Sequence, residues 1–250
     1  MNRLFPSMTS KPEKIQFFSL IPCCLFMFIL IPIYIMPLLG FGLWEEWESS
    51  VWLEIGYHEL NGVILLALMA GYLKEDWFMV TTDAGHILKH AALTVGLVVG
   101  TELLLIGILL LCGFPPEYLY EWFPVVEMSV SHTPLFAVRL QPVFATLALS
   151  VFAPISVCSL FYCLGFAPVC YHKPWLAYPC VAVIALIPSV VDILWRGNAP
   201  FVLSGYLVQL PVHLLACWAY QKTDNVWTPL FTLAATNLLA SIVLPILLLR

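Results

Sequence analysis

Residues 91–113, AALTVGLVVGTELLLIGILLLCG, hold a single charged side chain, Glu102. An α-helix rises 1.5 Å per residue, so roughly 20 apolar residues cross the ~30 Å hydrocarbon core of a bilayer. The stretch therefore reads as a membrane-spanning helix. Similar runs predict spans at 17–40, 51–73, 90–113, 143–169, 175–195, 199–220 and 227–249. The fold class is all-α: a polytopic transmembrane helix bundle of about seven spans, with six to eight compatible with the pattern. Residues 1–250 form one membrane domain. The fourth span contains Pro154 and Pro168 and is expected to be kinked or split. The sixth carries Gln209, Pro211 and His213 and is the least apolar.

Composition agrees with this. Hydrophobic residues make up 62% of the chain and charged ones 10%, against about 25% charged in soluble domains. Mean hydropathy is +0.95. The net charge of −5 sits at the ends of apolar runs, and no basic patch with interleaved aromatics is present, so nucleic acid is not an expected partner. The eight cysteines, Cys23, Cys24, Cys112, Cys158, Cys163, Cys170, Cys180 and Cys217, lie in or beside apolar runs. They read as small buried hydrophobes, with no spacing for structural zinc and no cofactor motif. The run at 17–40 is too long for a signal-peptide core and is expected to be retained.

Lysines and arginines set the expected orientation. With seven spans, Arg3, Lys11, Lys14, Lys74, Lys89, Lys173 and Lys222 fall on one side. Arg139, Arg196 and Arg250 fall on the other. The positive-inside rule then places the N-terminus in the cytoplasm and the C-terminus outside. The Trp44-Glu45-Glu46-Trp47-Glu48 segment reads as an outer interfacial turn. The longest connection, 114–142, reads as an irregular or re-entrant segment on the outer surface. No fixed-period repeat is present.

Ionisable groups at membrane depth cost on the order of 2.5–3.5 kcal/mol each on insertion scales, so each calls for an explanation. Glu59, with His58 and Asn61, falls in the second span, and Glu102 falls mid-way along the third. Asp192 and Arg196 share a helix face in the fifth, the spacing of an interfacial ion pair. His213 reads as an interhelical hydrogen-bonding group. Thr236 and Asn237 lie in the seventh. His58-Glu59 lacks the zinc-protease pattern His-Glu-x-x-His, which fails at Gly62. His86 and His90 have i, i+4 spacing at a helix end and read as solvated. No G-x-S-x-G elbow, Walker loop or dinucleotide fingerprint occurs.

Two stretches of the C-terminal half carry a family likeness. One runs from Ala153-Pro154 to Leu164; the other runs Cys217-Trp218-Ala219-Tyr220-Gln221-Lys222-Thr223-Asp224-Asn225-Val226-Trp227-Thr228-Pro229 and on to Asn237. They resemble the A-P-x-x-E-E-x-x-F-R-G helix and the G-W-L-Y-E-R-T-G-S-L-W-A-P-I-L-A-H-A-x-x-N segment of the CAAX prenyl endopeptidase and bacteriocin-processing family (CPBP, also called Abi) of intramembrane proteases. The resemblance covers residues 140–245. It implies an intramembrane site in which paired glutamates activate water, completed by an arginine, two histidines and an asparagine. Here Cys158 and Ser159 are taken for the glutamates and Cys163 for the arginine. Arg196 stands near the first histidine, Leu233 replaces the second, and Asn237 is kept. Neither thiol nor hydroxyl replaces a carboxylate as the base for water.

Three functions follow as expectations. The first is a protein on this scaffold without peptidase activity, in a binding, immunity-type or accessory role. Its partners would be the bilayer and a membrane peptide, lipidated protein or partner membrane protein, in a bacterial plasma membrane as the resemblance implies. The second is a membrane-embedded peptidase or acyltransferase with Cys158, Ser159 or Cys163 as nucleophile and His213 as base. The third is a small transporter using Glu59 and Glu102. Convergence of Cys158, Cys163, His213 and Asn237 on one cavity would favour the family site.

Overall fold

The computed structural model describes residues 22, 23, 25–27, 47–115, 143, 144, 146–196 and 199–248. Among these the chain is all helical and forms six long helices. They are α1 (Trp47–Thr82), α2 (Ala84–Leu111), α3 (Ala148–His172), α4 (Pro174–Arg196), α5 (Ala199–Thr223) and α6 (Trp227–Leu248). Each coincides with one of the expected spans from the second onward. Three segments, Ala84–Leu111, Ala148–His172 and Val202–Thr223, are long and apolar enough to cross a membrane on length and composition. The first expected span lies almost wholly outside the described residues. Met27, with Cys23 and Phe26 beside it, packs into the core of the bundle.

The faces of α2 show how the bundle meets its surroundings. Ile87, Ala91, Thr94, Val98 and Glu102 are buried, at spacings of three and four that keep them on one stripe. That stripe packs on α5 and α6. Leu93, Leu97, Leu103, Leu104 and Leu111 are exposed. An apolar face of this extent marks a membrane-facing surface, and the protein is membrane-associated.

At the centre lies α3, packed by α1, α4 and α6. Every residue from Cys158 to Phe166 is buried. Pro154 and Pro168 do not split it: the helix runs unbroken from Ala148 to His172. Two π-helical segments, Ala148–Phe152 and Cys158–Phe166, each end two residues before a proline. In both, the alanine preceding the proline bonds five residues back: Ala153 N–H donates to Ala148 O and Ala167 N–H to Tyr162 O. A wider turn absorbs the missing proline N–H, and the helix continues. Gly62 of α1 lies against Phe152, so close that an added Cβ would stand 2.6 Å from the Phe152 Cβ. Only glycine permits that approach.

Trp47 and Glu48 belong to the first turn of α1 rather than to an interfacial turn; Trp44, Glu45 and Glu46 lie outside the described residues, as does most of 114–142. The end of α1, the start of α2, the end of α3 and the α5–α6 turn meet at one end of the bundle. Val226 bonds Asp76, His90 stacks edgewise on Trp218, and Gln221 bonds Cys170. Lys74, Lys89, Lys173 and Lys222 all flank this end.

Candidate functional site

The π geometry of α3 decides which side chains gather. With more residues per turn, Cys158, Tyr162 and Cys163 project toward the same interhelical space. Cys158, Cys163 and Tyr162 are each at most 2% exposed. The Tyr162 hydroxyl is hydrogen-bonded to His213 Nδ1 of α5 at 3.3 Å. The Phe161 ring meets the same imidazole edge-on, with centroids 5.0 Å apart. One turn nearer the lysine-flanked end, Cys217 lies within electrostatic range of Cys158 and Cys170, and the Tyr220 side chain hydrogen-bonds that of Cys163. Below these, Tyr178 of α4 donates to Gln221 Oε1 at 2.6 Å, and Gln221 Nε2 donates to Cys170 Sγ at 3.3 Å. The interior between α3, α4 and α5 is thus a seam of thiols, phenols and one amide.

Asn237 is elsewhere. Its Nδ2 donates to the Leu149 carbonyl at 2.6 Å, nine residues before Cys158 and so roughly 13 Å away along the helix. The Asn237 side chain does not join the thiols or His213. Ser159 is buried beside Cys158, but His213 is committed to Tyr162. Among the described residues, Asn237 thus does not share one cavity with Cys158, Cys163 and His213. Counted from Ala153, the resemblance would put the glutamate positions on Val157 and Cys158 and the arginine position on Tyr162 rather than on Cys158, Ser159 and Cys163, and none of these side chains is a carboxylate.

The remaining candidates stand apart. Glu102 is 6% exposed on the inner stripe of α2 and has no hydrogen-bond or ion-pair partner among the described residues. Glu59 is half-buried on α1. Asp192 and Arg196 lie in α4, and their side chains are outside the described set. His86 and His90 stack on one another at 4.5 Å, and His86 Nδ1 lies 3.9 Å from Asp83 Oδ2. Among the described residues no three His, Cys, Asp or Glu side chains are placed to hold a metal ion. A groove of about 530 Å³ between α2 and α5 is lined by Thr101, Leu105, Ile108, Leu210, Pro211 and Leu214, among others. Apart from Thr101, whose hydroxyl donates to the Leu97 carbonyl, its lining is apolar.

Asp76 is the residue that sequence reasoning missed. It lies in the charged Lys74-Glu75-Asp76 cluster beyond the apolar run of α1, a pattern typical of a solvated helix end. Instead it is 6% exposed, and its Oδ2 accepts the Val226 N–H at 2.7 Å. Burial pushes its pKa up to about 6, with Asp224 and Glu75 adding to the rise and the Val226 bond opposing it.

No family model, curated protein or solved structure matches this chain.

Proposed function

We propose that this protein is a multi-pass membrane protein on a CPBP-like scaffold that binds a membrane peptide, a lipidated protein or another membrane protein without hydrolysing it, in an immunity-type or accessory role. The observation that carries this reading is the commitment of His213 to Tyr162, beside thiols that are buried in packed core. A thiol or hydroxyl nucleophile needs a base within hydrogen-bond reach and a third group orienting that base. The scaffold draws support from one backbone detail. Asp224 adopts a left-handed conformation, φ 49°, at the position where the family segment has glycine, the residue that takes this conformation at least cost. The lysine-flanked end, with Lys74, Lys89, Lys173 and Lys222, is assigned to the cytoplasm of a bacterial plasma membrane, with the N-terminus on the same side.

The test is proteolysis by purified protein in detergent, offered a prenylated or leader-type peptide. No cleavage is expected. Cleavage abolished by Cys158→Ala would replace this reading with the thiol enzyme.

A second reading is favoured by Glu102 alone. A buried carboxyl at membrane depth with no partner among the described residues is a natural proton or cation site. Proteoliposomes carrying a pH-sensitive dye would show a proton flux lost in Glu102→Gln if the protein is a small transporter.

A further inference from the structure

The α5–α6 turn is fastened to the end of α1 by three hydrogen bonds between residues about 150 positions apart in sequence. Trp227 Nε1 donates to Leu73 O at 2.9 Å. Asn225 Nδ2 donates to Asp76 O at 2.8 Å, and the Val226 N–H donates to Asp76 Oδ2. The Trp77 and Trp227 rings meet edge-on at 4.8 Å. Asn225 and Val226 are fully buried. Within the turn, Asn225 Oδ1 accepts the Trp227 N–H at 2.9 Å, and the Thr223 and Thr228 hydroxyls share a hydrogen bond of 2.8 Å. The turn is thus braced by its own side chains as well as fastened to α1.

One member of that attachment is ionisable. The titratable groups facing Asp76 are Glu75 on its own helix, Asp224 on the turn and the Cys163 thiol of α3. Among the described residues no lysine, arginine or histidine pairs with it. Ionisation places an anion against two other acids in a buried position. The neutral acid escapes that penalty and still offers an oxygen to the Val226 N–H; that bond is stronger to the anion and opposes the effect, but burial outweighs it.

We infer that the α5–α6 turn is a proton-operated latch: it holds to α1 while Asp76 is neutral and loosens when Asp76 ionises, opening that end of the bundle to the Cys163 and Cys170 thiols. Tyr220 and Gln221, which bond these two thiols, sit in the last turn of α5 and move with the latch. The sign follows from burial. The folded-state pKa, about 6, lies above the ordinary value of 3.8. The stabilisation from proton binding is complete below about pH 4 and is lost as pH rises through about 6. The latch is thus closed in acid and loose at neutral pH.

The experiment labels the whole protein in detergent with N-ethylmaleimide at a series of pH values and reads each cysteine by peptide mass spectrometry. Exposed Cys112 serves as internal reference for the general rise of thiol reactivity with pH. The ratio of Cys163 labelling to Cys112 labelling is expected to rise several-fold between pH 5 and 7.5, with a midpoint near 6. In Asp76→Asn it is expected to stay low throughout. A flat wild-type ratio, or an Asp76→Asn protein that follows the wild type, overturns the latch. Asp224→Asn keeps a side chain suited to the left-handed backbone and removes one repelling charge. Its midpoint is expected to fall below that of the wild type, and an unmoved midpoint removes Asp76 as the titrating group.

Discussion

Asn237 of α6 donates from Nδ2 to the carbonyl of Leu149 in α3 at 2.6 Å, and Pro154 explains why that carbonyl is free. An α-helical partner would be the Ala153 N–H, which is committed to Ala148 O. A π-helical partner would be residue 154, and proline has no N–H. At membrane depth an unpaired carbonyl is costly, and no water competes for it.

Asn237→Leu should therefore destabilise the bundle by about 1–3 kcal/mol, the cost of a buried acceptor left unmet. Pro154→Ala restores a donor within α3 and should recover part of that loss. The double variant Asn237→Leu/Pro154→Ala is expected to be less destabilised than the sum of the single variants. Denaturant titration in detergent, followed by tryptophan fluorescence, reads all four corners of the cycle. Strict additivity would disconnect Asn237 from the proline.

Tyr162 and His213 give a second prediction. Removing the hydroxyl in Tyr162→Phe leaves the ring in place and takes the partner from His213 Nδ1. The expected loss is about 0.5–1.5 kcal/mol, read by the same titration. His213→Phe should cost less than His213→Ala, because the imidazole also packs edge-on against Phe161. The reverse order would mean that polar function, rather than packing, keeps the histidine.

The helical membrane class was legible because length and hydropathy alone decide it; no soluble fold needs residues 91–113. The Ala-Pro pairs were legible as perturbations, but their resolution by π segments was not. Whether a proline interrupts a helix depends on what the neighbouring carbonyls can reach, and Asn237 is 83 positions from Pro154. Asp76 was hidden for a related reason. A Lys-Glu-Asp cluster at the end of an apolar run reads as solvated, and only the return of the α5–α6 turn buries one of its three members. The candidate site residues divided along the same line. Cys158 and Cys163 lie on the π segment of α3 whose Tyr162 meets His213 of α5. Asn237 of α6 instead bonds Leu149, nine residues before Cys158.

Gly62 supplies a test of packing alone. A Cβ there would stand 2.6 Å from the Phe152 Cβ and 2.9 Å from its Cα, so part of the clash is with backbone that cannot rotate away. Gly62→Ala should destabilise the protein by about 1–3 kcal/mol, although alanine is the better helix former by about 1 kcal/mol. Pairing it with Phe152→Ala should recover only part of the loss, since the Phe152 Cα remains. Stabilisation by Gly62→Ala would show that α1 and α3 are further apart than described.

Glu102 tests the electrostatics of the interior. It sits on the α2 stripe that packs against α5 and α6 and is 6% exposed. A charge held at membrane depth without a partner costs on the order of 2.5–3.5 kcal/mol, so the acid is expected to be carried in its neutral form. Glutamine is neutral and nearly isosteric, and Glu102→Gln should leave stability within about 0.5 kcal/mol of the wild type. Glu102→Leu should be equal or more stable, because it removes a polar group that has no partner among the described residues. Glu102→Lys should be strongly destabilising, with a cation in the same apolar stripe. Breaking a buried ion pair would instead cost about 3–5 kcal/mol in Glu102→Gln. A loss of that size in denaturant titration would mean that Glu102 is ionised and paired in the bilayer.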